Sequence, residues 1–265
     1  MKTGKLSLKL VKYETVNLIS NILIIIFGFA FPIGMVLLFS FAFGSEAEIT
    51  THLHTTLFFQ FALTIPLATL LIGHAVNYAS ELESGAVLRF KLFGYGEKTL
   101  LIGKMLANLI FLTVAFAVYS LIVVLVLDVA APTVGALFTF LVFFYVLSVI
   151  IFVLGHAVAT LFGQVGKVMG ICMALYFFMM VLGGMMGVQP SILPNGIRHI
   201  AMAIPFYYMS VYLTDFWFGS DTMNWLPFIL STVGMAIVAA GLFVLALWLK
   251  KKGKIKDGAK PVYYD

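Results

Sequence analysis

Side chains able to do chemistry are few in this sequence and widely separated. Its five histidines are His52, His54, His74, His156 and His199. They include no His-Glu-x-x-His pair, the spacing that sets two imidazoles on one helix face around a zinc ion. His52 and His54 stand near Glu46 and Glu48, where a metal ion could be held loosely, although a solvated loop is the simpler reading. An ATP-binding loop needs Gly-x-x-x-x-Gly-Lys followed by Ser or Thr, for phosphate cradling and Mg²⁺. Gly-Lys occurs at Gly4-Lys5, Gly103-Lys104, Gly166-Lys167 and Gly253-Lys254, never followed by Ser or Thr. Any ATP used with this chain is therefore expected on another one. No nucleophile-and-base set and no metal set is visible, so the chain does not read as an enzyme and no cofactor is expected in it. Cys172 is the single cysteine, so no internal disulfide can form.

The remaining polar residues of interest lie inside apolar runs. His74 and His156 sit in a short echo, Gly73-His74-Ala75-Val76 and Gly155-His156-Ala157-Val158. In so restricted an alphabet this is a weak sign of an internal repeat. Gln60, His74, Asn77, His156 and Gln164 are candidate residues of a transport pathway. Hydrogen bonding between helices is the competing role, which also suits Asn108. No series of intramembrane carboxylates suggests a proton relay, which counts against a proton-driven transporter.

What positions these groups follows from composition. Of 265 residues, 62% are hydrophobic and 10% charged, against roughly 25% charged in an ordinary soluble domain. Water cannot accept that much apolar surface, so the fold class is an all-α integral membrane protein. A membrane helix takes about 20 apolar residues, and six stretches qualify: residues 22–43, 56–77, 102–127, 135–162, 168–188 and 225–249. The first is too long for a signal-peptide core and reads as a retained span. Lys104, at the edge of the third, is expected to snorkel to the interface.

Orientation follows from the basic residues. Lys2, Lys5, Lys9 and Lys12 precede the first span, and Arg89, Lys91, Lys98 and Lys104 lie between spans two and three. Lys167 follows the fourth span and six lysines follow the sixth, which leaves only Arg198 on the opposite side. Both termini and the loop between spans two and three are thus expected in the cytoplasm, at a cell membrane. Nucleic acid is not an expected partner, because these charges flank hydrophobic runs. Trp217 and Trp225 are expected near the outer interface and Trp248 near the inner one.

The organisation that results is a cytoplasmic amphipathic segment (1–21), a six-span domain (22–249) and a basic tail (250–265), polar and mobile. The lysines of the first segment recur every three or four residues, with Leu6, Leu10 and Val11 on other faces; an interfacial helix and a plain topology signal both fit. The outer segment, 189–221, is broken by Pro190, Pro194 and Pro205 and rich in aromatics, so short interfacial helices are expected. Met179, Met180, Met185 and Met186 suit either an apolar pathway or lipid-facing packing, the latter being the simpler reading.

The cytoplasmic loop, 80–101, carries the most information. Glu81 and Glu83 precede an apolar run, and Arg89 and Lys91 fall later, the order that favours a helix. Leu88, Leu92 and Phe93 share one face of it, and Gly94 and Gly96 supply its stop. Such a helix suits docking into a groove on a partner or resting on lipid.

Here the sequence resembles the ABC type-2 permease family. Glu81-x-Glu83-x-Gly85 leaves span two, Arg89 follows four residues on, and Gly103-Lys104 enters span three, in the order and spacing of that family's loop. The basic amphipathic N-terminus, the six spans and the outer segment with Leu193-Pro194 and Ile204-Pro205 agree as well. Ala86 stands where Thr or Ser is usual, and Gly94 where a proline often closes the helix. The resemblance implies the permease subunit of an ATP-driven exporter of apolar or amphipathic molecules such as drugs, peptides or lipids. It implies a separate ABC ATPase subunit in two copies, carrying ATP and Mg, which docks on Glu81, Glu83, Gly85, Arg89 and Phe90 of a coupling helix. It implies a dimer too, with a second permease chain, identical or related, in contact with membrane lipid. A secondary transporter or channel working without an ATPase, and a non-transporting assembly or sensor subunit, are the alternatives.

Overall fold

The computed structural model describes residues 8–43, 47–185, 193–220 and 223–254, and every regular element among them is helical. Six helices are long and apolar enough to cross a membrane: Ile26–Phe43, Thr51–Glu83, Glu97–Val126, Val134–Phe162, Val165–Leu182 and Trp225–Lys251. The expected six are present, with shifted ends. The second and third run past their apolar stretches because charged residues such as Glu81 and Glu97 remain good helix formers once outside lipid. The fifth ends at Leu182, before the left-handed Gly184. Residues 186–188, expected within it, lie outside the described residues, as do Lys2, Lys5, Leu6, Pro190 and the tail beyond 254.

The second span is the centre of the bundle and is buried almost throughout. It is also the most polar, with Gln60, Thr64, Thr69 and His74 all buried. Lipid cannot satisfy such groups, so this helix is surrounded by others. Pro66 removes a backbone donor from it, and a π-helical segment, Leu67–His74, follows. Thr64 and Thr69 hydroxyls donate to the carbonyls of Phe61 and Ile65, at 2.7 and 2.8 Å. A second π segment, Ile26–Ala30, opens the first span and packs against the one in the second.

Glycine permits the closest crossing. A Cβ on Gly155 of the fourth span would stand 2.7 Å from the carbonyl oxygen of Leu70. Only a residue without one lets the two backbones meet there.

Preceding the first span, the helix Leu8–Ile19 lies along the third. Leu10, Glu14 and Leu18 form its buried stripe, while Lys9 and Lys12 are exposed.

At the end of the bundle away from the 84–96 loop, the proline-broken segment forms three short helices, Asn195–Met202, Pro205–Val211 and Leu213–Trp217. Trp217, expected near the outer interface, stands in the last of these short helices. It is buried, donating its indole N–H to the carbonyl of Ala130 at 2.7 Å and standing edge-on to Phe59 at 4.7 Å. Met179, Met180 and Met185 differ from the lipid-facing reading, for all three are buried. Met186 is outside the described residues.

Candidate functional site

The site grows from one buried cation. Lys104 was expected to snorkel outward, but it is 3% exposed. Its ammonium donates to both oxygens of Glu14, each at 2.8 Å, and to Oε1 of Glu81 at 2.6 Å. Snorkelling is unnecessary when two carboxylates reach the charge, and their attraction to it offsets part of the cost of desolvating all three. The N-terminal helix, the end of the second span and the start of the third are thereby tied at one point. Tyr78 adds its ring, with the ammonium 5.8 Å from the centroid.

From Glu81 the chain enters the loop. Glu83, exposed, accepts the backbone N–H of Val165 at 2.9 Å, which caps the start of the fifth span. A carboxylate there satisfies an orphan donor and complements the positive helix end. Gly85 then takes φ +69°, a left-handed turn that L side chains rarely adopt. The short helix Ala86–Leu92 begins immediately after it. Val87 is its buried anchor. Arg89 donates back to the carbonyl of Ser84 at 3.0 Å, and Phe90 stands edge-on between Tyr13 and Tyr95, at 5.7 and 6.3 Å.

The opposite face of this helix is bare. Leu88 is exposed, and Leu92 and Phe93 are 83% and 80% exposed. Gly94, at φ +87°, ends the helix as expected. Gly96 does not contribute to the stop, since it is extended and begins the third span. Glu97, the next residue, pairs with Lys91 of the short helix and with Lys250 at the end of the sixth span, the latter at 2.9 Å.

The five residues expected to dock a partner therefore divide. Glu81 points inward to Lys104, Glu83 sideways to the fifth span, and Gly85 makes the turn. Phe90 packs on the N-terminal helix, and only Arg89 shares the exposed side with Leu88, Leu92 and Phe93.

The polar candidates within the spans divide as well. His74 and His156 meet, Nε2 to Nδ1 at 3.3 Å, so the two echoed tetrapeptides cross at one place. Phe152 stacks on His74 at 4.2 Å and Tyr78 on His156 at 4.2 Å. Asn77 accepts from Asn21 at 2.6 Å, joining the second span to the turn that precedes the first. Gln60 is buried in the same helix, far from the histidines in sequence, and its Oε1 has no partner among the described residues. Asn108 donates to the carbonyl of Lys104. Gln164 lies exposed in the turn between spans four and five, apart from the others. His52 pairs with Asp215 at 3.2 Å and stacks on Phe218. Among the described residues no three metal-ligating side chains gather.

Sequence reasoning missed Glu14, Glu97 and Lys250. Glu14 carried a signal: it occupies the middle of the Leu10, Glu14, Leu18 stripe, where a carboxylate must have a partner. Arranged in this way, the described residues present a short helix with a braced base and an open apolar tip.

A family profile described as ABC-2 family transporter protein matches residues 47–248, which takes in five of the six spans and the whole loop. No curated protein matches the chain.

Proposed function

The chain belongs to the ABC-2 transporter family, and from that membership we propose that it is the permease subunit of an ATP-driven exporter whose Ala86–Leu92 helix docks on a separate ATPase. The chain's six apolar helices fit a multi-pass membrane protein. The observation that carries the reading is the exposed tip formed by Leu88, Arg89, Leu92 and Phe93 on a helix whose base is fixed by Glu81, Glu83 and Val87.

Length argues that this tip meets protein and not lipid. The second span has 33 residues, about 50 Å of helix, against roughly 30 Å of hydrocarbon. Its last turn therefore carries the loop beyond the apolar layer. The basic residues around the loop put that end in the cytoplasm by the positive-inside preference. Three apolar side chains beside an arginine, exposed in water, have the composition of an interface centre.

Mechanically, the ATPase would hold ATP and Mg, and its closure would press on the short helix. Phe90 and the Lys104 cluster would pass that movement to the N-terminal helix, the second span and the third together. Two permease chains around two ATPases would give the movement a pathway to open, suited to apolar or amphipathic cargo leaving the inner leaflet. The test is co-purification with an ATPase subunit after Arg89→Glu and Phe93→Asp. Loss of a central contact costs at least about 2 kcal/mol, so binding should fall roughly thirtyfold. Undiminished binding and undiminished transport would remove the docking role.

A further inference from the structure

Behind the short helix lies a cavity of about 320 Å³. Val87, Leu100, Leu101, Phe243 and Leu247 give it an apolar wall, and Tyr78, His156 and Thr160 give it polar groups further in. Its remaining lining is ionic: Lys98 and Glu97 from the first turn of the third span, Lys250 from the last turn of the sixth, and Lys104. The volume is at the lower end for ligand sites, and an apolar wall with a few convergent polar groups is their usual construction.

The charges indicate the sign of the ligand. Lys104 faces two carboxylates, Glu14 and Glu81, while the single carboxylate of Glu97 is shared between Lys91 and Lys250, so that with Lys98 four lysines stand against three carboxylates. Lys98 pairs with no carboxylate among the described residues. The third span begins on Gly96, which has no side chain to cap it, so its positive end also lies in this wall. The excess is positive. Lys250 directly follows the apolar stretch 225–249 and Lys98 stands four residues before the stretch that opens at 102, which places both near headgroup depth, while the wall continues into the apolar part of the bundle.

We propose that this cavity binds the phosphate of an anionic lipid between Lys98 and Lys250, with the start of its tail against Leu101, Phe243 and Leu247. This rests on the cytoplasmic placement of the loop end given above, since anionic headgroups are abundant in that leaflet and basic pockets between spans select them. Because Val87 is part of the wall, the lipid would sit directly behind the short helix and support it.

Binding can be measured on the purified chain without an ATPase, by native mass spectrometry in detergent with phosphatidylglycerol, phosphatidylcholine or inorganic phosphate added. Phosphatidylglycerol should be retained roughly tenfold or more over phosphatidylcholine, and inorganic phosphate should not displace it. Lys98→Gln with Lys250→Gln should abolish the preference. Leu101→Trp, which fills the cavity without changing charge, should reduce retention at an unaltered unfolding temperature. Equal retention of the two lipids, or a preference that survives both variants, would overturn the proposal. So would displacement by inorganic phosphate, which would make this a site for the free ion. Because no ATPase is present, failure here leaves the docking reading intact, and failed docking leaves this result intact.

Discussion

The two ends of the bundle are held by different forces. At the loop end, Lys104, Glu14 and Glu81 form one buried ionic cluster, and Lys91, Glu97 and Lys250 form a second, more exposed one. At the far end the holding groups are aromatic. Trp217 packs on Phe59 and Phe140, Phe140 on Phe116, and Tyr119 donates its hydroxyl to the carbonyl of Phe58. Polar contacts there, Thr51 with Asp128 and His52 with Asp215, lie at the exposed rim. Aromatic packing resists displacement over short distances, because filled interiors have few intermediate arrangements. An ionic cluster in which one lysine holds two carboxylates from two helices can redistribute its bonds as those helices shift. On the proposed reading, the end facing the motor is suited to pass movement on, and the far end to limit it.

The comparison can be broken most severely at Lys104. Replacing it with Ala leaves two buried carboxylates facing each other, and about 3–5 kcal/mol of stability should be lost. Thermal unfolding in detergent measures this. A loss below about 1 kcal/mol would mean that the cluster does not hold the loop end. Lys104→Arg should retain most of the stability, since the two carboxylates keep a cation between them.

Next in size is the crossing between the ends. Gly155→Ala puts a methyl group against the Leu70 backbone and should cost about 1–3 kcal/mol through displaced helices. It should also disturb the His74–His156 contact, which changes in the imidazole signals of the labelled protein would report. At the far end, Trp217→Phe keeps an aromatic ring but loses the bond to Ala130, for about 1–2 kcal/mol. That loss should not vary with salt, because no ion takes part. Gly85→Ala should be comparable. Nothing crowds the new Cβ, so only the left-handed backbone is strained, at about 1–2 kcal/mol.

The smallest effect on stability, and the sharpest contrast with Lys104, belongs to Leu92→Ser. Leu92 is 83% exposed, so unfolding should move by no more than about 0.5 kcal/mol. ATPase stimulation by the assembled complex should nonetheless fall.

Much of this architecture could be read from the sequence because membrane helices declare themselves by hydropathy. The loop helix was legible too, from Glu81 and Glu83 at its approach, Leu88 and Leu92 on one face and Gly94 at its end. What escaped was whatever depends on how helices face one another. Glu14 and Lys104 are distant in sequence, and no local pattern says that one will reach the other. The echoed His74 and His156 were visible as a repeat, but their meeting depends on Gly155 admitting a close crossing. Nor does the sequence show that Trp217 turns its ring into the bundle, onto Phe59 and Phe140. Glu81 was read as a docking residue from its motif alone, whereas its carboxylate serves Lys104.

The central claim is that the tip of the short helix is a cytoplasmic surface covered by the ATPase. A Phe93→Cys variant tests it directly, since the native Cys172 is fully buried and gives little background. Sealed vesicles of both orientations, treated with a membrane-impermeant maleimide, should label at residue 93 only when the cytoplasmic face is outward. Added ATPase subunit should suppress that labelling. Labelling from the opposite face, or labelling that a bound ATPase leaves unchanged, would contradict the account.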